Sequence, residues 1–197
     1  GPVITDEAIN GLFAKLDTLT KEDILVLAGS IPNTLPEDIY EKILARLESK
    51  GIRIVVDATK DLLLNVLKYH PFLIKPNNHE LGEMFGTVCK TDEDIVHYAK
   101  KLQEMGAVNV LISMAGDGAI LITEDGQNIK MGTPKGKVVN SVGAGDSMVA
   151  GFITGYIRGG NYEEALKSGT AAGSATAFSE GLASLEMYEK MLKQITE

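Results

Sequence analysis

The alternation of short apolar runs with segments of helical periodicity restricts this 197-residue chain to one class of fold. The runs Ile24–Ala28, Arg53–Asp57 and Phe72–Lys75 are rich in Val, Ile and Leu, which is typical of strands that are buried on both faces. Strands that alternate with helices form parallel sheets covered by those helices. The chain therefore predicts an α/β fold, with a mainly parallel sheet and helices on both faces.

Apolar spacing predicts the helices and the remaining strands. The predicted helices are Asp6–Leu19, Pro36–Ser49, Lys60–Tyr69, His79–Phe85, Asp92–Met105, Ala144–Arg158, Tyr162–Ser179 and Ser184–Ile195. Strands Asn109–Met114 and Ala119–Thr123 flank a turn that contains glycine, and Gln127–Gly132 with Lys137–Val139 is predicted to form an antiparallel pair. Since there is no internal repeat or linker, residues 1–197 are predicted to form a single domain.

Charge and cysteine content exclude several classes of partner. The net charge of −8 argues against a nucleic-acid partner, although an acidic protein can still bind phosphate through backbone N–H groups. Cys89 is the only cysteine, so neither an internal disulfide nor a cysteine metal cluster can form. No apolar run reaches about 18 residues, which predicts no membrane segment and a cytoplasmic setting.

The run Gly143-Ala144-Gly145-Asp146 at the predicted start of a helix is the most informative motif. Small residues allow backbone N–H groups to converge without side-chain bulk, and the helix dipole adds positive potential there. Such an anion hole suits the charge that develops on a transferred phosphoryl group, and the Asp146 carboxylate could accept a proton from an attacking hydroxyl. A glycine-rich helix start with Asp146 as a capping charge explains the same spacing.

The run from Ser113 to Gly118 connects two predicted strands. A glycine turn at a strand end can approach a nucleotide phosphate closely, with Ser113 as a hydrogen-bond donor. Taken alone, the pattern favours a plain hairpin turn at Gly116-Asp117-Gly118. The run is not a Walker A loop, because the chain contains no G-x-x-x-x-G-K-[ST].

Asn77 and Glu80 are three residues apart at the start of another predicted helix. A carboxylate in this position could hold Mg²⁺ through water, since Mg²⁺ commonly keeps several of its waters. The same spacing is that of a capping box, which requires no ligand. The two interpretations are compatible.

Taken in order, these segments resemble the ribokinase-like carbohydrate kinases of the PfkB family. The most specific element is Val139–Phe152, which reads VNSVGAGDSMVAGF. Within the family the resemblance is greatest to the bacterial 1-phosphofructokinases, on Gly29–Pro32, Lys75–Leu81 and Gly173–Phe178. It implies a ribokinase-like fold and ATP-dependent, Mg²⁺-assisted phosphorylation of fructose 1-phosphate to fructose 1,6-bisphosphate.

The resemblance also implies a role for each matched residue. Asp146 matches the catalytic base, in contact with the acceptor sugar, and the N–H groups of Gly143, Ala144 and Gly145 match the anion hole. The implied nucleotide-binding residues are Asn77, Ser113, Met114, Ala115, Gly116, Asp117, Gly118, Gly145 and Ser174. Glu80 matches an acidic residue linked to Mg²⁺ through water, and Ser30 matches a contact to the substrate phosphate.

Family members begin with a further N-terminal third that carries the first sheet strands and a β-lid, for which this chain has no counterpart. Gly1-Pro2 matches a mid-protein position. The chain is therefore expected to be the C-terminal portion of a longer kinase, inactive alone, whose full-length form could dimerise through the lid. The alternatives are a tagatose-6-phosphate kinase, a nucleotide-binding module without turnover, and a doubly wound domain for another phosphate ligand.

Overall fold

Six strands form one mixed sheet in the computed structural model, which describes residues 3–58 and 60–196, the side chain of residue 196 excepted. Gly1 and Pro2 lie outside the described residues. The strands, in their order across the sheet, are β1 (Ile24–Ala28), β2 (Arg53–Asp57), β3 (Leu73–Ile74), β4 (Asn109–Ser113), β5 (Ala119–Ile122) and β6 (Asn128–Met131). The first four run parallel, and β5 and β6 are antiparallel to their neighbours. The predicted, mainly parallel α/β sheet is thus confirmed.

Helices cover both faces of the sheet, as predicted. They are α1 (Asp6–Leu16), α2 (Ile39–Leu47), α3 (Lys60–Val66), α4 (Asn78–Met84), α5 (Asp92–Glu104), α6 (Ala144–Gly159), α7 (Tyr162–Ala177) and α8 (Leu185–Thr196). Among residues 3–58 and 60–196, none of these helices is long and apolar enough to cross a membrane.

The order of the parallel strands explains how the helices divide between the two faces. Because β1 to β4 follow one another in both sequence and space, right-handed crossovers bring α2 to α5 to one face. Their apolar side chains pack there against alternate strand residues such as Val56 and Ile112. The opposite residues of the same strands, such as Val55 and Leu111, pack against α6 and α7, whose Phe152 is fully buried.

Helices α6 and α7 pack closely because glycines line their contact. A Cβ atom at Gly151 would lie 2.6 Å from the Ser168 carbonyl oxygen, and one at Gly155 would lie 2.6 Å from the Glu164 carbonyl oxygen. Glycine costs about 1 kcal/mol in a helix interior relative to alanine. Here it permits the backbone approach that fixes α6, and so the site at its N-terminus, against α7.

One predicted strand is wrong. Lys137–Val139 forms no strand beside β6, since the N–H groups of Val139 and Asn140 both donate to the carbonyl of Ala177 at the end of α7. Gly136 lies against the Phe178 ring, where a Cβ atom would come within 2.3 Å. The segment therefore follows the end of α7 and leaves β6 as an edge of the sheet.

Several predicted boundaries also shift. Helix α2 begins at Ile39, because Pro36–Asp38 forms a turn closed by the Ile39 N–H and the Pro36 carbonyl. Helix α3 gives way to a 3₁₀ turn at Leu67–Tyr69, and His70, with φ at 52°, ends it.

Strand β1 is the other edge of the sheet. None of the described residues pairs with its outer side. Val26 lies on the face covered by α6 and α7, beside Val55, yet it is 40% exposed.

Candidate active site

The four parallel strands end at the same border of the sheet, and the predicted site residues lie there. This border is called the carboxyl edge, and it is distinct from the edge strands β1 and β6. Hydrogen bonds tie the segments that leave the strands together: Gly29 N–H donates to the Asp57 carbonyl (3.0 Å), and Ser113 N–H donates to the Pro76 carbonyl (3.2 Å). Ligands of open α/β sheets bind at this edge. The loops that carry Ser30, Asn77 and Ser113 thus leave the sheet at the same end.

Helix α6 starts at this edge, at Ala144, after Gly143 in the left-handed conformation (φ 79°) and without a side-chain cap. The Ala144 N–H donates to the Ser141 carbonyl at 3.2 Å. Within the described part of the chain, the N–H groups of Gly143, Gly145 and Asp146 donate to no protein acceptor. First-turn N–H groups that lack partners bind anions. The anion hole predicted from Gly143–Gly145 is therefore available through Gly143 and Gly145, while Ala144 is already engaged.

Asp146 is the third residue of α6, and its side chain is exposed. A carboxylate in the first turn is favoured by the helix dipole, which supports the capping interpretation of this residue. Its exposure also leaves it accessible to a bound hydroxyl group. Ser147, the next residue, is held by the Thr176 hydroxyl, which donates to Ser147 Oγ at 2.8 Å.

Asn77 and Glu80 form the capping box at the start of α4. Asn77 Oδ1 accepts from the N–H groups of His79 and Glu80, and Glu80 Oε2 accepts from the Asn77 N–H at 2.8 Å. These bonds use one oxygen of each side chain. The Asn77 amide nitrogen and the second Glu80 oxygen remain for a ligand.

A magnesium ion fits this edge only with most of its ligands supplied by water or substrate. Among the residues that the structure describes, no three His, Cys, Asp or Glu side chains cluster closely enough to hold a metal. Glu80 is half-buried and offers one free oxygen. Mg²⁺ usually binds through one or two carboxylates with several waters and substrate phosphates, so this donor set matches it.

The loop from Ser113 to Gly118 is a hairpin connection, and Asn77 pairs with Ser113 by an isolated parallel bridge. The Met114 N–H donates to the Gly118 carbonyl at 2.8 Å, and Ala115 has φ at 48°. Gly118 is required here, because φ is 93° and a Cβ atom would lie 2.0 Å from the Met131 carbonyl oxygen. The hairpin interpretation is confirmed as local structure, and the bridge brings the loop beside Asn77.

Ser174, an implied nucleotide contact, belongs to the segment 171–178, which mainly packs against other helices. Ala171 and Ala175 are fully buried in a cluster with Met191 of α8, and Ser174 is only 7% exposed. Gly173 faces α6, where a Cβ atom would lie 3.1 Å from the Ala144 carbonyl oxygen. The small residues serve helix packing at least as much as ligand contact.

Exposed apolar side chains surround the start of α6, and none of them is among the predicted site residues. They are Val138, Val139, Val142, Leu182 and Leu185, each more than half exposed. A Cβ atom at Gly143 would lie 3.3 Å from a methyl group of Leu182. Val138, Val139 and Val142 lie within or just before the VGAGD motif, and these exposed valines are the sequence signal that could have indicated an apolar rim.

Ser30 lies exposed in the loop after β1, at the same edge of the sheet. The loop is anchored by Tyr40, whose hydroxyl donates to the Ala28 carbonyl at 3.0 Å. Burial raises the pKa of the Tyr40 hydroxyl, and the charge of Asp57 adds to this effect. The tyrosine therefore stays a neutral donor at physiological pH.

The same edge carries a largely buried ion pair, and neither of its two residues was predicted as a site residue. Lys75 Nζ lies 3.2 Å from Asp57 Oδ1, at the ends of β3 and β2. Burial raises the pKa of the Asp57 carboxyl, Lys75 lowers it, and the charges of Asp146 and Glu80 raise it further. The charges of Lys75, Asp146 and Glu80 therefore all act on the Asp57 carboxyl.

Comparison with known proteins agrees with this geometry. Residues 3–187 match the model of the pfkB family carbohydrate kinases. The chain is 48% identical to the 1-phosphofructokinase of Bacillus subtilis over 99% of its length, and 36% identical to the D-tagatose-1-phosphate kinase of Bacillus licheniformis over 99%. It spans 64% of the length of each of these relatives.

Solved structures share the fold. A provisionally assigned phosphofructokinase of Staphylococcus aureus superposes with a TM-score of 0.93 at 43% identity, covering 98% of this chain and 63% of that one. Phosphofructokinase-2 of Escherichia coli, solved with substrates and products, gives a TM-score of 0.90 at 26% identity, covering 100% of this chain and 65% of that one. The fold is ribokinase-like, and the chain belongs to the pfkB family of carbohydrate kinases.

Proposed function

We propose that this chain is the nucleotide-binding and catalytic-base portion of an ATP-dependent kinase that phosphorylates fructose 1-phosphate to fructose 1,6-bisphosphate. The observation that carries the proposal is the start of α6, where the unpaired N–H groups of Gly143 and Gly145 lie beside the exposed carboxylate of Asp146. A kinase requires such a combination, an anion site for the transferred group and a base for the attacking hydroxyl.

In the proposed reaction, the 6-hydroxyl oxygen of the sugar attacks the γ-phosphorus of ATP, and Asp146 accepts the proton of that hydroxyl. The bond from that phosphorus to the bridging oxygen breaks, and ADP leaves with the electron pair. The N–H groups of Gly143 and Gly145 donate to the transferred phosphoryl group, where they stabilise its charge in the transition state.

The nucleotide phosphates would contact the hairpin loop through backbone groups, because Met114 is buried and Gly116 carries no side chain. Asn77 would donate through its free amide nitrogen. Ser174 of α7 is nearly buried, and it would contact the nucleotide through the small part of its surface that is exposed. When bound, Mg²⁺ neutralises charge on the nucleotide phosphates. Glu80 would hold it through water.

The acceptor sugar is a second part of the proposal. Ser30 would contact the sugar phosphate at the end of β1. Similarity to the D-tagatose-1-phosphate kinase of Bacillus licheniformis makes tagatose 1-phosphate a second candidate acceptor. Tagatose 6-phosphate is a further alternative substrate. A nucleotide-binding module without turnover is the alternative for the 197-residue chain alone.

The experiment is a substrate panel on the full-length gene product, with ADP release measured for fructose 1-phosphate, tagatose 1-phosphate, tagatose 6-phosphate and fructose 6-phosphate. Fructose 1-phosphate is expected to have the highest kcat/KM. Asp146→Asn should lower kcat by about 10²–10⁴-fold, the usual contribution of a general base, with the Kd for ATP nearly unchanged.

Glu163→Gln is the matched control, since Glu163 is also an exposed acidic residue in the first turn of a helix. It lies in α7 and should leave kcat unchanged. Turnover by Asp146→Asn at the wild-type rate would contradict the role of the base and favour a different phosphate ligand.

A further inference from the structure

The ion pair between Lys75 and Asp57 lies directly beneath the first turn of α6. The side chains of Lys75 and Asp57 are 7% and 19% exposed. Burial of two charges costs several kcal/mol per ion before their attraction is counted, so such a pair is weak evidence for stability by itself. Its presence at this edge of the sheet calls for another explanation.

The position of the ammonium group relative to α6 supplies that explanation. A Cβ atom at Gly145 would lie 3.2 Å from Lys75 Nζ and 3.9 Å from Asp57 Oδ2. The Lys75 charge therefore lies against the helix end that already carries positive potential, an arrangement that is repulsive in the absence of an anion. An anion bound at the Gly143 and Gly145 N–H groups would reverse the sign of both interactions.

Backbone hydrogen bonds fix the pair in this place. The Lys75 N–H donates to the Val56 carbonyl at 3.2 Å, and the Gly29 N–H donates to the Asp57 carbonyl at 3.0 Å. Asp57 is the last residue of β2 and Lys75 directly follows β3. Because Val56 and Ile74 are partners, Asp57 and Lys75 lie side by side at the next position. Asp57 orients the ammonium group, and Asp146 and Glu80 add charges that act on Asp57.

We propose that Lys75 is a positioning residue that, oriented by Asp57, places a buried positive charge beneath the anion hole and supports the first turn of α6. It acts through the Gly145 peptide, which lies between its ammonium group and the anion site. This inference rests on the proposed kinase function, because the anion in question is the transferred phosphoryl group.

The experiment compares Lys75→Met, Asp57→Asn and the double variant in the full-length gene product. Each single variant leaves one buried charge without its partner, and both should lower the thermal midpoint. The double variant removes both charges and should recover most of that midpoint. Its kcat should nevertheless remain about 10²-fold below wild type, comparable to the loss of one oxyanion donor, with the KM for the sugar phosphate unchanged.

A second readout does not depend on turnover. The affinity for ADP with aluminium fluoride, which mimics the transferred group, should fall in the double variant, while the affinity for ADP alone stays the same. The control is the exposed ion pair of Lys68 and Glu41 (2.7 Å), for which Lys68→Met with Glu41→Gln should change neither kcat nor either affinity.

Two results would overturn the inference. One is a double variant that regains both stability and wild-type kcat, because the pair would then be structural only. The other is an equal loss of affinity for ADP alone and for ADP with aluminium fluoride. A wild-type protein that binds ADP with aluminium fluoride but phosphorylates none of the sugar phosphates would contradict the proposed function instead, and the affinity comparison would still decide on Lys75.

Discussion

Glu80 combines a structural bond and a free oxygen in one carboxylate. Its Oε2 accepts the Asn77 N–H and closes the capping box of α4, while its second oxygen takes no part in this box. The structural and the functional interpretations of the Asn77–Glu80 spacing are thus compatible at the level of single atoms. A glutamine can keep the first role, because Glu and Gln are both found at this position of capping boxes.

Glu80→Gln is therefore expected to retain the stability of the full-length protein and to weaken its use of magnesium. The Mg²⁺ concentration that gives half-maximal rate should rise about 10–100-fold, the usual effect of losing an outer-sphere partner of a metal. The measurement is initial rate against free Mg²⁺ at saturating ATP.

Glu83→Gln is the control on the same helix, since Glu83 is exposed and pairs with Lys60. An unchanged Mg²⁺ requirement in Glu80→Gln would leave the carboxylate with its capping role alone.

Single residues differ in how far the sequence predicts them. The bonds of Asn77 and Glu80 are local, so a spacing of three residues was enough to predict the capping box. Lys75 and Asp57 are far apart in sequence and meet only because β2 and β3 are adjacent and parallel. No local pattern encodes that pairing. The sequence therefore predicts the VGAGD motif but not the ion pair of Lys75 and Asp57 beneath it.

At the scale of elements, the position of α6 depends on hydrogen bonds between the segment before α6 and the segment after α7. Asn140 Nδ2 donates to the Glu180 carbonyl at 3.1 Å, and Asn140 Oδ1 accepts from the Val142 N–H at 3.0 Å. Together with the two N–H groups that bond the Ala177 carbonyl, these contacts hold the segment before α6 to the end of α7. The predicted strand at Lys137–Val139 failed because this tertiary contact outweighs β-propensity.

Asn140→Ala should loosen the start of α6. Loss of two hydrogen bonds of about 1 kcal/mol each should lower the free energy of unfolding by about 1–2 kcal/mol. The amides of residues 143–147 should exchange hydrogen faster, and kcat should fall because the anion site is less well ordered. Hydrogen-exchange mass spectrometry and steady-state kinetics measure the two effects.

Asn161→Ala supplies a matched loss of stability at the other end of α7, where Asn161 caps the helix through the Glu164 N–H (2.8 Å). Loss of such a cap costs about 1 kcal/mol and should leave kcat unchanged. Equal effects of the two variants on kcat would show that Asn140 acts only through global stability.

At the scale of the whole molecule, the mainly parallel sheet and its two helical layers follow from the sequence. The alternation of strands and helices, combined with right-handed crossovers, leaves few arrangements for β1 to β4. The exact start of α2 and the shortness of β3 do not follow, because they depend on how each segment packs against the completed sheet.

The extent of the chain leads to a prediction about activity. The chain spans 64% of the length of the Bacillus subtilis relative. We propose that residues 1–197 do not make all the contacts to the acceptor sugar. Residues 1–197 alone should release ADP with fructose 1-phosphate at least about 10³-fold more slowly than the full-length gene product, because positioning the acceptor accounts for a large part of catalysis. A coupled ADP-release assay compares the two. Normal turnover by residues 1–197 would contradict the expectation of a fragment and show a complete site.

The unpaired edge at β1 affects how residues 1–197 associate in solution. Ile24–Ala28 is a run of five apolar residues with no charge, and its outer backbone groups have no partner among the described residues. Such an edge is a template for strand addition by another chain, and neither a lysine nor a proline in β1 blocks it. Concentrated solutions of this polypeptide should therefore associate through β1. A charged residue in place of Val26 is expected to weaken that association.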